Sequence, residues 1–427
     1  MKSIVWFTNN LRVADNPLLT AACKNNANEV VGVYCLNPEK LDGDFPKIGP
    51  FRAKFNVESL LDLKRSLEEL NIPFAILIGD PTKRLPEYIN ENNIGTLYFQ
   101  KVWHEEEVLI NKEIEAKISP NIQLVSLYDQ FLLGPEIIPF ELYKLPKVFT
   151  PFRKKVEATL EVPAPLEVPA KQTNTSNTPL FYSDALWASI SKELLSIKID
   201  SRSAFPFKGG EKAAQERIDH YFFSTDHVAQ YKETRNGLIG LDYSTKLSAW
   251  LANGCISART IYYQLKAYEK TVKANESTYW VLFELLWREF FKYVGLKHKN
   301  DLFKSGGINH KSFAQGNDPK VYNDWISGTT HSPFINANMK ELSQTGWMSN
   351  RGRQNVASYW SKTLDQDWRI GATYFESQLI DYDVDSNWAN WMYTSGVGND
   401  PRDRIFNPER QADMYDPQKA FQKLWNN

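Results

Sequence analysis

Five short apolar runs alternate with helical patterns over the first 130 residues, and this alternation constrains the fold more than any other feature. All five are rich in β-branched or aromatic residues, as strands are. The five runs are SIVWFT (3–8), EVVGVYCL (29–36), PFAILIG (73–79), GTLYFQ (95–100) and IQLVSLY (122–128). The clearest helical pattern between them covers 51–70, and Asn16 before Pro17 is typical of a helix start. This alternation predicts an α/β domain built on a doubly wound parallel sheet.

The pattern changes beyond residue 205, where long helical patterns such as 247–270 and 276–296 dominate and strand-like runs nearly vanish. Residues 160–180 lie between the two regions and contain repeated prolines, which bar both helix interiors and central strands. A chain of 427 residues is also long for a single core. We therefore predict three parts: an α/β domain at 1–130, an interdomain linker at 131–204 and an all-α domain at 205–427.

Charge, cysteine content and hydropathy narrow the class of protein. The formal net charge is −1, so contact with nucleic acid would need a local basic patch. Cys23, Cys35 and Cys255 are too few and too scattered for a disulfide framework or a zinc site. No apolar run reaches transmembrane length, and the chain opens into a strand-like run without the pattern of a signal peptide. We expect a cytoplasmic protein with no membrane partner.

The turn after the first predicted strand, TNNLRVADN (8–16), contains no glycine. Dinucleotide-binding domains carry a G-x-G-x-x-G sequence at this turn, because glycine lets the main chain approach the pyrophosphate. The N-terminal domain is therefore not expected to bind NAD or FAD by that route.

Three aspartates alternate at the start of DYDVDSNWANWMY (381–393). This spacing is found in EF-hand calcium loops, which also need glycine at position six and glutamate at position twelve. Counted from Asp381, those positions are Ser386 and Met392. The calcium interpretation fails, and no metal site is predicted.

The segment YSTKLS (243–248) precedes an apolar helical run. Ser244, Thr245 and Ser248 surround Lys246 there. One interpretation is a plain helix N-cap. The other is a phosphate site, since hydroxyls, main-chain N–H groups and a lysine at a helix N-terminus favour an anion. The residues alone leave both open.

Two helical segments carry charged residues that are candidates for a site, although a pair of arginines most often lies on a solvated face. Glu284 and Trp287 are spaced i, i+3 and share one face of an apolar helix, where a carboxylate is costly unless it is paired or functional. Arg351 and Arg353 are two residues apart on a helix and point to different sides. One could face a carboxylate while the other faces a phosphate.

Several long motifs occur in a fixed order. Residues 231–408 contain YKETRNG, YSTKLS, ELLWREFF, TGWMSNRGRQ, DWRIGATYFESQLIDYDVDSNWANW and RIFNP, and the first domain contains WFTNNLRVADNP and GPFRAKFNVESLLDL. Together they resemble the photolyase/cryptochrome family, and the cryptochrome-DASH class most closely. The family holds FAD in a helical C-terminal domain and splits pyrimidine dimers in DNA with blue or near-UV light. The resemblance implies a light-driven carbon–carbon lyase, in which an electron passes from excited reduced FAD to the dimer and returns.

The resemblance also implies a set of cofactor contacts. The hydroxyl residues of YSTKLS would hold the FAD pyrophosphate, and Arg353 would pair with Asp381 at the flavin edge. Asp383 would bind polar atoms of the ring or ribityl chain, and Asn387 would face flavin N5, where an amide can donate or accept. The implied cofactor-binding residues are Tyr231, Arg235, Ser244, Thr245, Lys246, Leu247, Ser248, Arg288, Arg353, Asp381, Asp383 and Asn387.

A second implied set acts on DNA. Trp287 would stack on a flipped-out dimer, Glu284 would bond the damaged bases, and Asn350 would lie in the same pocket. The implied catalytic residues are Glu284, Trp287, Asn350 and Asn387, and the implied DNA-binding residues are Arg351, Gln354, Tyr393 and Arg404. Gln354 and Tyr393 match the class that prefers single-stranded DNA, whose bases are the least costly to extrude. The expected partner is single-stranded DNA with pyrimidine dimers, bound by a monomer.

Two positions depart from the family pattern. Trp391 and Trp368 match the first two electron-transfer tryptophans, but the distal position is Gln315, which predicts slow or short-lived photoreduction or a detour through Tyr322. His331 stands where relatives usually have glycine, at the border of the expected lesion pocket.

The antenna and the biological role are less constrained. QKVWHEEEV (100–108) loosely resembles a folate-binding pattern, which makes 5,10-methenyltetrahydrofolate the expected antenna, but it departs from that pattern at Val102, which takes the place of a ligand carboxylate. The alternative to repair is a blue-light photoreceptor that signals through a partner. A third interpretation is an FAD-bound nucleic-acid-binding protein without turnover. Glu284, Trp287 and Asn350 together favour repair.

Overall fold

Strands of the N-terminal region form one parallel sheet. The computed structural model describes residues 2–24, 29–43, 46–173, 179–311 and 316–427, and in these ranges the sheet has six strands. They are β1 Lys2–Phe7, β2 Glu29–Leu36, β3 Phe74–Ile78, β4 Ile94–Gln100, β5 Gln123–Leu127 and β6 Phe181–Ser183, in the order β5-β4-β1-β2-β3-β6. The chain moves outward from β1 in both directions, which makes the sheet doubly wound. The five predicted strands and the α/β fold are confirmed.

Helices cover both faces of this sheet. The helices of the region are α1 Pro17–Lys24, α2 Pro50–Glu69, α3 Pro81–Glu91, α4 Glu105–Lys117, α5 Phe149–Glu157 and α6 Leu186–Ser196. Along β1, Ile4 and Trp6 belong to one apolar core and Val5 and Phe7 to another, because alternate residues of a strand face opposite sides. The Asn16 side chain accepts from Leu19 N at 3.0 Å, which confirms the predicted start of α1.

The segment predicted as a linker, 131–204, is only partly extended. Residues 160–173 have neither helix nor strand, as their prolines suggest. In contrast, β6 pairs with β3, and α6 packs against α2. The segment can connect two domains and also pack on one of them, so the boundaries at 130 and 205 stay a prediction.

Beyond residue 204, the described residues contain helices and no strand. The helices are α7 Glu211–Ile218, α8 Tyr231–Thr234, α9 Ser248–Ala252, α10 Ala258–Thr271, α11 Glu276–His298, α12 Pro319–Ile326, α13 Pro333–Thr345, α14 Asn350–Ser358, α15 Trp368–Gln378, α16 Val384–Ser395, α17 Pro408–Tyr415 and α18 Ala420–Asn426. The all-α prediction is confirmed, and α11 matches the pattern at 276–296. None of the helices in the described ranges is both long and apolar enough to cross a membrane.

The continuous helix suggested by the pattern at 247–270 is wrong, because the chain turns between α9 and α10. Gly254 has a φ of +72°, a conformation that favours glycine. Its α-carbon also lies against the main chain of Asn9, where a side chain would overlap the carbonyl oxygen. Ser257 then caps α10 by accepting from Thr260 N at 2.9 Å. The break between α9 and α10 therefore coincides with a contact to Asn9 of the N-terminal domain, which no local sequence pattern could predict.

The two domains share a buried polar interface around the loop that follows β1. The Arg12 guanidinium, 2% exposed, donates to the Gly254 carbonyl at 3.0 Å. The fully buried Asp15 carboxylate pairs with Arg259 at 2.7 Å. The Glu211 carboxylate accepts from two main-chain N–H groups of the same loop at 2.8 and 3.0 Å. These bonds fix the sheet relative to the helical domain.

Candidate functional site

The start of α16 gathers the polar residues of the DYDVDSN segment. Asp383 is the N-cap of α16 and accepts from Ser386 N at 2.9 Å, which satisfies a free N–H group of the first turn. Asp381 lies two residues earlier, and Asn387 lies in the first turn of the helix. Both are more than nine-tenths buried. The aspartates here shape a helix start and not a calcium loop.

Asp381 forms the ion pair predicted with Arg353. Its two carboxylate oxygens lie 2.9 and 3.0 Å from Arg353 Nη2, and Ser248 Oγ donates to the same carboxylate at 2.7 Å. Arg353 also donates from Nε to the Met348 carbonyl at 2.9 Å. Three segments far apart in the chain therefore meet at one carboxylate.

Lys292 of α11 holds Asp383. Its ammonium lies 2.9 Å from Asp383 Oδ2 and 3.4 Å from Asp385 Oδ2. Burial raises the pKa of Asp383, but the charges of Lys292 and Arg288 outweigh it and keep that pKa well below its ordinary value. Asp383 is therefore a fixed anion beside two cations.

The Asn387 side chain is oriented by the neighbouring helix. Its Nδ2 donates to the Ala372 carbonyl of α15 at 3.0 Å, and its main-chain N–H donates to the Asp383 carbonyl at 2.8 Å. With the amide nitrogen engaged in this way, the side chain offers its oxygen as an acceptor.

The Arg217 side chain holds the YSTKLS loop through main-chain carbonyl groups. The guanidinium donates to the carbonyls of Thr245 and Ser244 at 3.0 and 2.9 Å. Leu247 stands at the N-cap of α9 without a side-chain cap bond, so the plain N-cap interpretation of this segment is wrong. Helix α9 has only five residues, so its dipole would attract an anion at its N-terminus only weakly.

Lys246 points into the protein. It adopts a φ of +62°, and its ammonium lies 3.1 Å from the centroid of the Tyr243 ring. Burial lowers the pKa of Lys246, against the opposing charge of Glu341. Burial likewise raises the pKa of Glu341 to about 8. Lys246 is 2% exposed, and its contact with a phosphate stays a prediction.

Glu284 and Trp287 share one side of α11, as their spacing predicts. Glu284 pairs with Arg235 at 2.7 Å. Burial raises the pKa of Glu284, and Arg235 opposes that shift. The Trp287 ring stacks on Phe149 with centroids 3.8 Å apart and planes at 13°, and the edge of Tyr393 lies at 5.9 Å. One face of Trp287 is therefore backed by an aromatic ring.

The remaining cofactor candidates of the helical domain flank this pair. Tyr231 opens α8 and is buried, and burial raises the pKa of its hydroxyl. The Arg235 guanidinium lies 5.9 Å from the Tyr231 ring centroid. Arg288 follows Trp287 and donates to the Gln130 carbonyl at 2.8 Å, which ties α11 to the N-terminal part of the chain.

The two arginines of α14 point in different directions, as predicted. Arg353 reaches Asp381, whereas Arg351 donates to Gln354 and Asn236, both at 2.9 Å. Asn350 is exposed at the first residue of α14. Elsewhere on the surface, Arg404 is exposed and lies 3.8 Å from Asp400.

The electron-transfer candidates lie in an aromatic core. Trp391 is 2% exposed and packs against Phe375 and Trp325, at centroid distances of 5.0 and 6.4 Å. Trp368 packs against Trp388 at 5.8 Å and donates to the Ser305 carbonyl at 2.9 Å. Gln315 lies outside the described residues. His331 is exposed, one residue before the N-cap of α13.

A cavity of about 640 Å³ lies between the two domains. The ends of β1, β2 and β4 line one side of it, and Arg288 and Asp383 line the other. Ligands in doubly wound proteins bind at the carboxyl ends of the strands, beside the point where the strand order reverses. Here that point lies between β1 and β4. Val102 also lines the cavity. In the described ranges, no group of three or more His, Cys, Asp or Glu side chains is placed to hold a metal ion.

Sequence reasoning missed three residues of this site. Lys292 follows Arg288 at i+4, a spacing that could have placed both on one face of α11. Phe149 lies in the segment taken as a linker, so its stack on Trp287 had no sequence signal. Asp385 had no role assigned, yet it is 2% exposed and bonded from both domains.

Comparison with known proteins agrees with this architecture. A family model described as "FAD binding domain of DNA photolyase" matches residues 280–426, and one described as "DNA photolyase" matches residues 3–170. A protein named Cryptochrome DASH from Gloeobacter violaceus is 42% identical over 427 residues, covering 99% of this chain and 85% of that protein. A protein of the same name from Danio rerio is 41% identical over 440 residues, covering 99% and 82%.

A solved structure gives the same picture. The chain is similar to a Synechocystis sp. PCC6803 cryptochrome, with a TM-score of 0.94 and 39% identity, covering 100% of this chain and 88% of that one. A class III photolyase from Agrobacterium tumefaciens gives a TM-score of 0.84 at 27% identity, covering 99% and 86%. The chain therefore belongs to the photolyase/cryptochrome family, in its cryptochrome-DASH class.

Proposed function

We propose that the protein repairs cyclobutane pyrimidine dimers, preferentially in single-stranded DNA, with light absorbed by reduced FAD. The observation that carries the proposal is the order of residues along α11. Glu284 and Trp287 share one side of α11, where Phe149 stacks on Trp287, and Arg288 and Lys292 of the same helix reach the interdomain cavity and Asp383. Lesion-binding chemistry and cofactor-binding chemistry thus meet on one helix.

The residues around α16 fit the polar rim of FAD. When bound, FAD supplies the light absorption and the electron that opens the dimer. Asp381, held by Arg353 and Ser248, offers a carboxylate to ring N–H groups. Asn387 presents its amide oxygen as an acceptor, because its nitrogen already donates to Ala372. Each polar group is held by a second one, which keeps the site in place before the cofactor arrives.

The lesion pocket uses Trp287 and Glu284. Phe149 supports one face of Trp287, so the ring can receive a flipped base on a surface that is already positioned. Base–aromatic stacking contributes about 1–3 kcal/mol per base. Arg235 lies 2.7 Å from Glu284 and opposes the rise in its pKa that burial causes, and the Glu284 carboxylate would accept from base N–H groups. Asn350 and Arg404, both exposed, are available to a bound strand.

The single-strand preference is supported by Gln354 and Tyr393 and by the cost of extrusion. Gln354 accepts from Arg351, itself a candidate for phosphate contact, and the rings of Tyr393 and Trp287 lie 5.9 Å apart at 90°. Removing a base from a duplex costs a few kcal/mol that a single strand does not require. With a net charge of −1, the chain has little general attraction for duplex phosphates to offset that cost.

We also propose an electron supply that begins at Trp391. Its ring touches Trp325, Trp325 lies 4.6 Å from Trp360, and Trp360 lies 6.0 Å from the half-buried Tyr322. This aromatic series offers a detour toward the surface that does not use position 315.

Trp391→Phe is expected to remove most photoreduction of the bound oxidised cofactor, because phenylalanine is far harder to oxidise than tryptophan. The measurement is bleaching of the flavin band under blue light with an external reductant. Trp425→Phe is the matched control, since Trp425 is equally buried but belongs to a separate apolar cluster. Equal bleaching rates in the two variants would remove Trp391 from the route.

The antenna proposal rests on the interdomain cavity. We propose 5,10-methenyltetrahydrofolate there, at the carboxyl ends of β1, β2 and β4. Lys40 and Lys47 line the same cavity, although both pair with Glu106. Such lysines suit the glutamate tail of a folate. A cytoplasmic, monomeric protein completes the proposal.

The decisive experiment illuminates the FAD-loaded, reduced protein with oligonucleotides that contain one thymine dimer, single-stranded or in duplex. We expect restored thymine in the single strand and much slower restoration in the duplex, measured by chromatography. Undamaged oligonucleotides and dark samples are the controls. No restoration in either substrate would leave the photoreceptor alternative, and equal rates would remove the single-strand preference.

A further inference from the structure

Asp385 is a buried carboxylate that receives donors from both domains. From the N-terminal domain, His104 Nε2 lies 2.8 Å and Trp103 Nε1 3.2 Å from Asp385 Oδ1. From α11, the Lys292 ammonium lies 3.4 Å from Oδ2. Asp385 is 2% exposed, so its charge depends on these partners.

The packing at this point is specific. His104 stands at the N-cap of α4, and its ring packs against Phe303 of the helical domain with centroids 5.6 Å apart. A β-carbon at Gly295 of α11 would overlap Asp385 Oδ1. The closeness of α11 and α16, and with it the bond to His104, therefore depends on glycine at this position.

One ammonium is shared between two carboxylates. Lys292 lies closer to Asp383, at 2.9 Å, than to Asp385, at 3.4 Å. With a neutral His104, Lys292 and the two aspartates together carry one net negative charge, and Arg288 offsets part of it on the Asp383 side. A proton on His104 adds a positive charge on the Asp385 side. Asp383 is the carboxylate proposed to bind FAD, and it lines the side of the interdomain cavity opposite the strand ends, where the folate is proposed.

The charged groups that face His104 favour its protonated form. Burial lowers the pKa of His104, but the charge and hydrogen bond of Asp385 outweigh it and raise that pKa above its ordinary value. Glu107 of α4 acts in the same direction as Asp385, and Lys292 of α11 acts against them.

We propose that His104 and Asp385 are positioning residues that set how Lys292 divides its charge between Asp385 and Asp383, and so couple the domain interface to FAD binding. When His104 is protonated, its positive charge compensates the Asp385 carboxylate, and the Lys292 ammonium pairs mainly with Asp383. When His104 loses its proton, Asp385 draws Lys292 away, and Asp383 faces the cofactor with more negative charge. The inference rests on the proposed function only in taking FAD as the ligand of Asp383.

The test measures the dissociation constant of reduced FAD from about pH 6 to about pH 9, the range in which a histidine of raised pKa titrates. In the unmodified protein the constant is expected to rise about fivefold with pH, as for one partly screened charge. His104→Gln should give weak, pH-independent binding, and Asp385→Asn should give tight, pH-independent binding. Opposite directions in the two variants distinguish positioning from a merely structural role.

His310→Gln is the matched control, because His310 is exposed and lies 3.7 Å from an aspartate, Asp301. It should keep the pH profile of the unmodified protein. The proposal would be overturned if His104→Gln kept the pH profile of the unmodified protein. It would also be overturned if His104→Gln and Asp385→Asn changed the dissociation constant of FAD in the same direction.

The protein without cofactor supplies an independent readout. A folded-state pKa raised above the unfolded value contributes stability that is complete below the unfolded pKa and is lost as pH rises through the folded one. Unfolding free energy should therefore fall with rising pH in the unmodified protein and fall less in His104→Gln. If no FAD binds at any pH, the proposed function fails. The stability profile still shows whether the ion pair between His104 and Asp385 forms, and an unchanged profile in His104→Gln would exclude it.

Discussion

Replacing Asp381 with alanine is expected to abolish retention of FAD and to lower the unfolding free energy of the cofactor-free protein by about 3 kcal/mol. The change removes the carboxylate that binds Arg353 through both oxygens and accepts from Ser248. It leaves the guanidinium, itself three-quarters buried, without its counter-ion. The ratio of flavin to protein absorbance measures retention, and chemical denaturation measures stability.

Two variants make this result interpretable. Asp381→Asn keeps the shape and one acceptor but removes the charge, so it should fold better than the alanine variant while still binding FAD weakly. Asp324→Asn disrupts an exposed pair with Lys320 at 3.9 Å and should change neither quantity. Full FAD retention in Asp381→Ala would exclude this carboxylate from the cofactor site.

Trp287→Ala is expected to lower the affinity for a dimer-containing single strand about thirtyfold, as loss of stacking on one or two bases implies. The ring that Phe149 supports would be missing, and Phe149 alone lies one layer further back. Fluorescence anisotropy in the dark measures binding without turnover. The affinity for the same strand without a dimer should change little.

Folding and binding can be separated with further variants. Trp287→Phe retains a ring against Phe149 and should recover most of the affinity. Tyr143→Ala removes an exposed aromatic ring outside the pocket and should have no effect. FAD content reports whether each variant folds. Equal losses for damaged and undamaged strands would mean that Trp287 does not recognise the lesion.

The local sequence pattern was sufficient to predict the longer strands of the sheet, but not the short strand β6 or the turn at Gly254. Strands β1 to β4 are mostly buried, β5 is partly exposed at the sheet edge, and each of the five lies within one residue of its prediction. Strand β6 escaped because it has three residues and is only partly buried, too short for any periodicity. The turn at Gly254 escaped because a contact with Asn9, distant in the chain, accompanies it.

The candidate site divides in the same way. Arg353 and Asp381 were paired from motif resemblance, and the structure brings them together. Asp385 received no role, because its donors Trp103 and His104 lie 282 and 281 residues away in the other domain. No spacing within one segment can report such a contact, which depends on how two domains meet.

The loop that follows β1 limits how the two domains can be separated or exchanged. Arg12 and Asp15 are buried at the interface, and their partner Arg259 on the helical domain is largely covered, with 18% of its side chain exposed. Separating the two domains would thus expose charged groups on both of them. The two domains therefore act as one structural unit, and a chimaera with another N-terminal domain must carry residues 8–16 together with the helical-domain surface that contacts them.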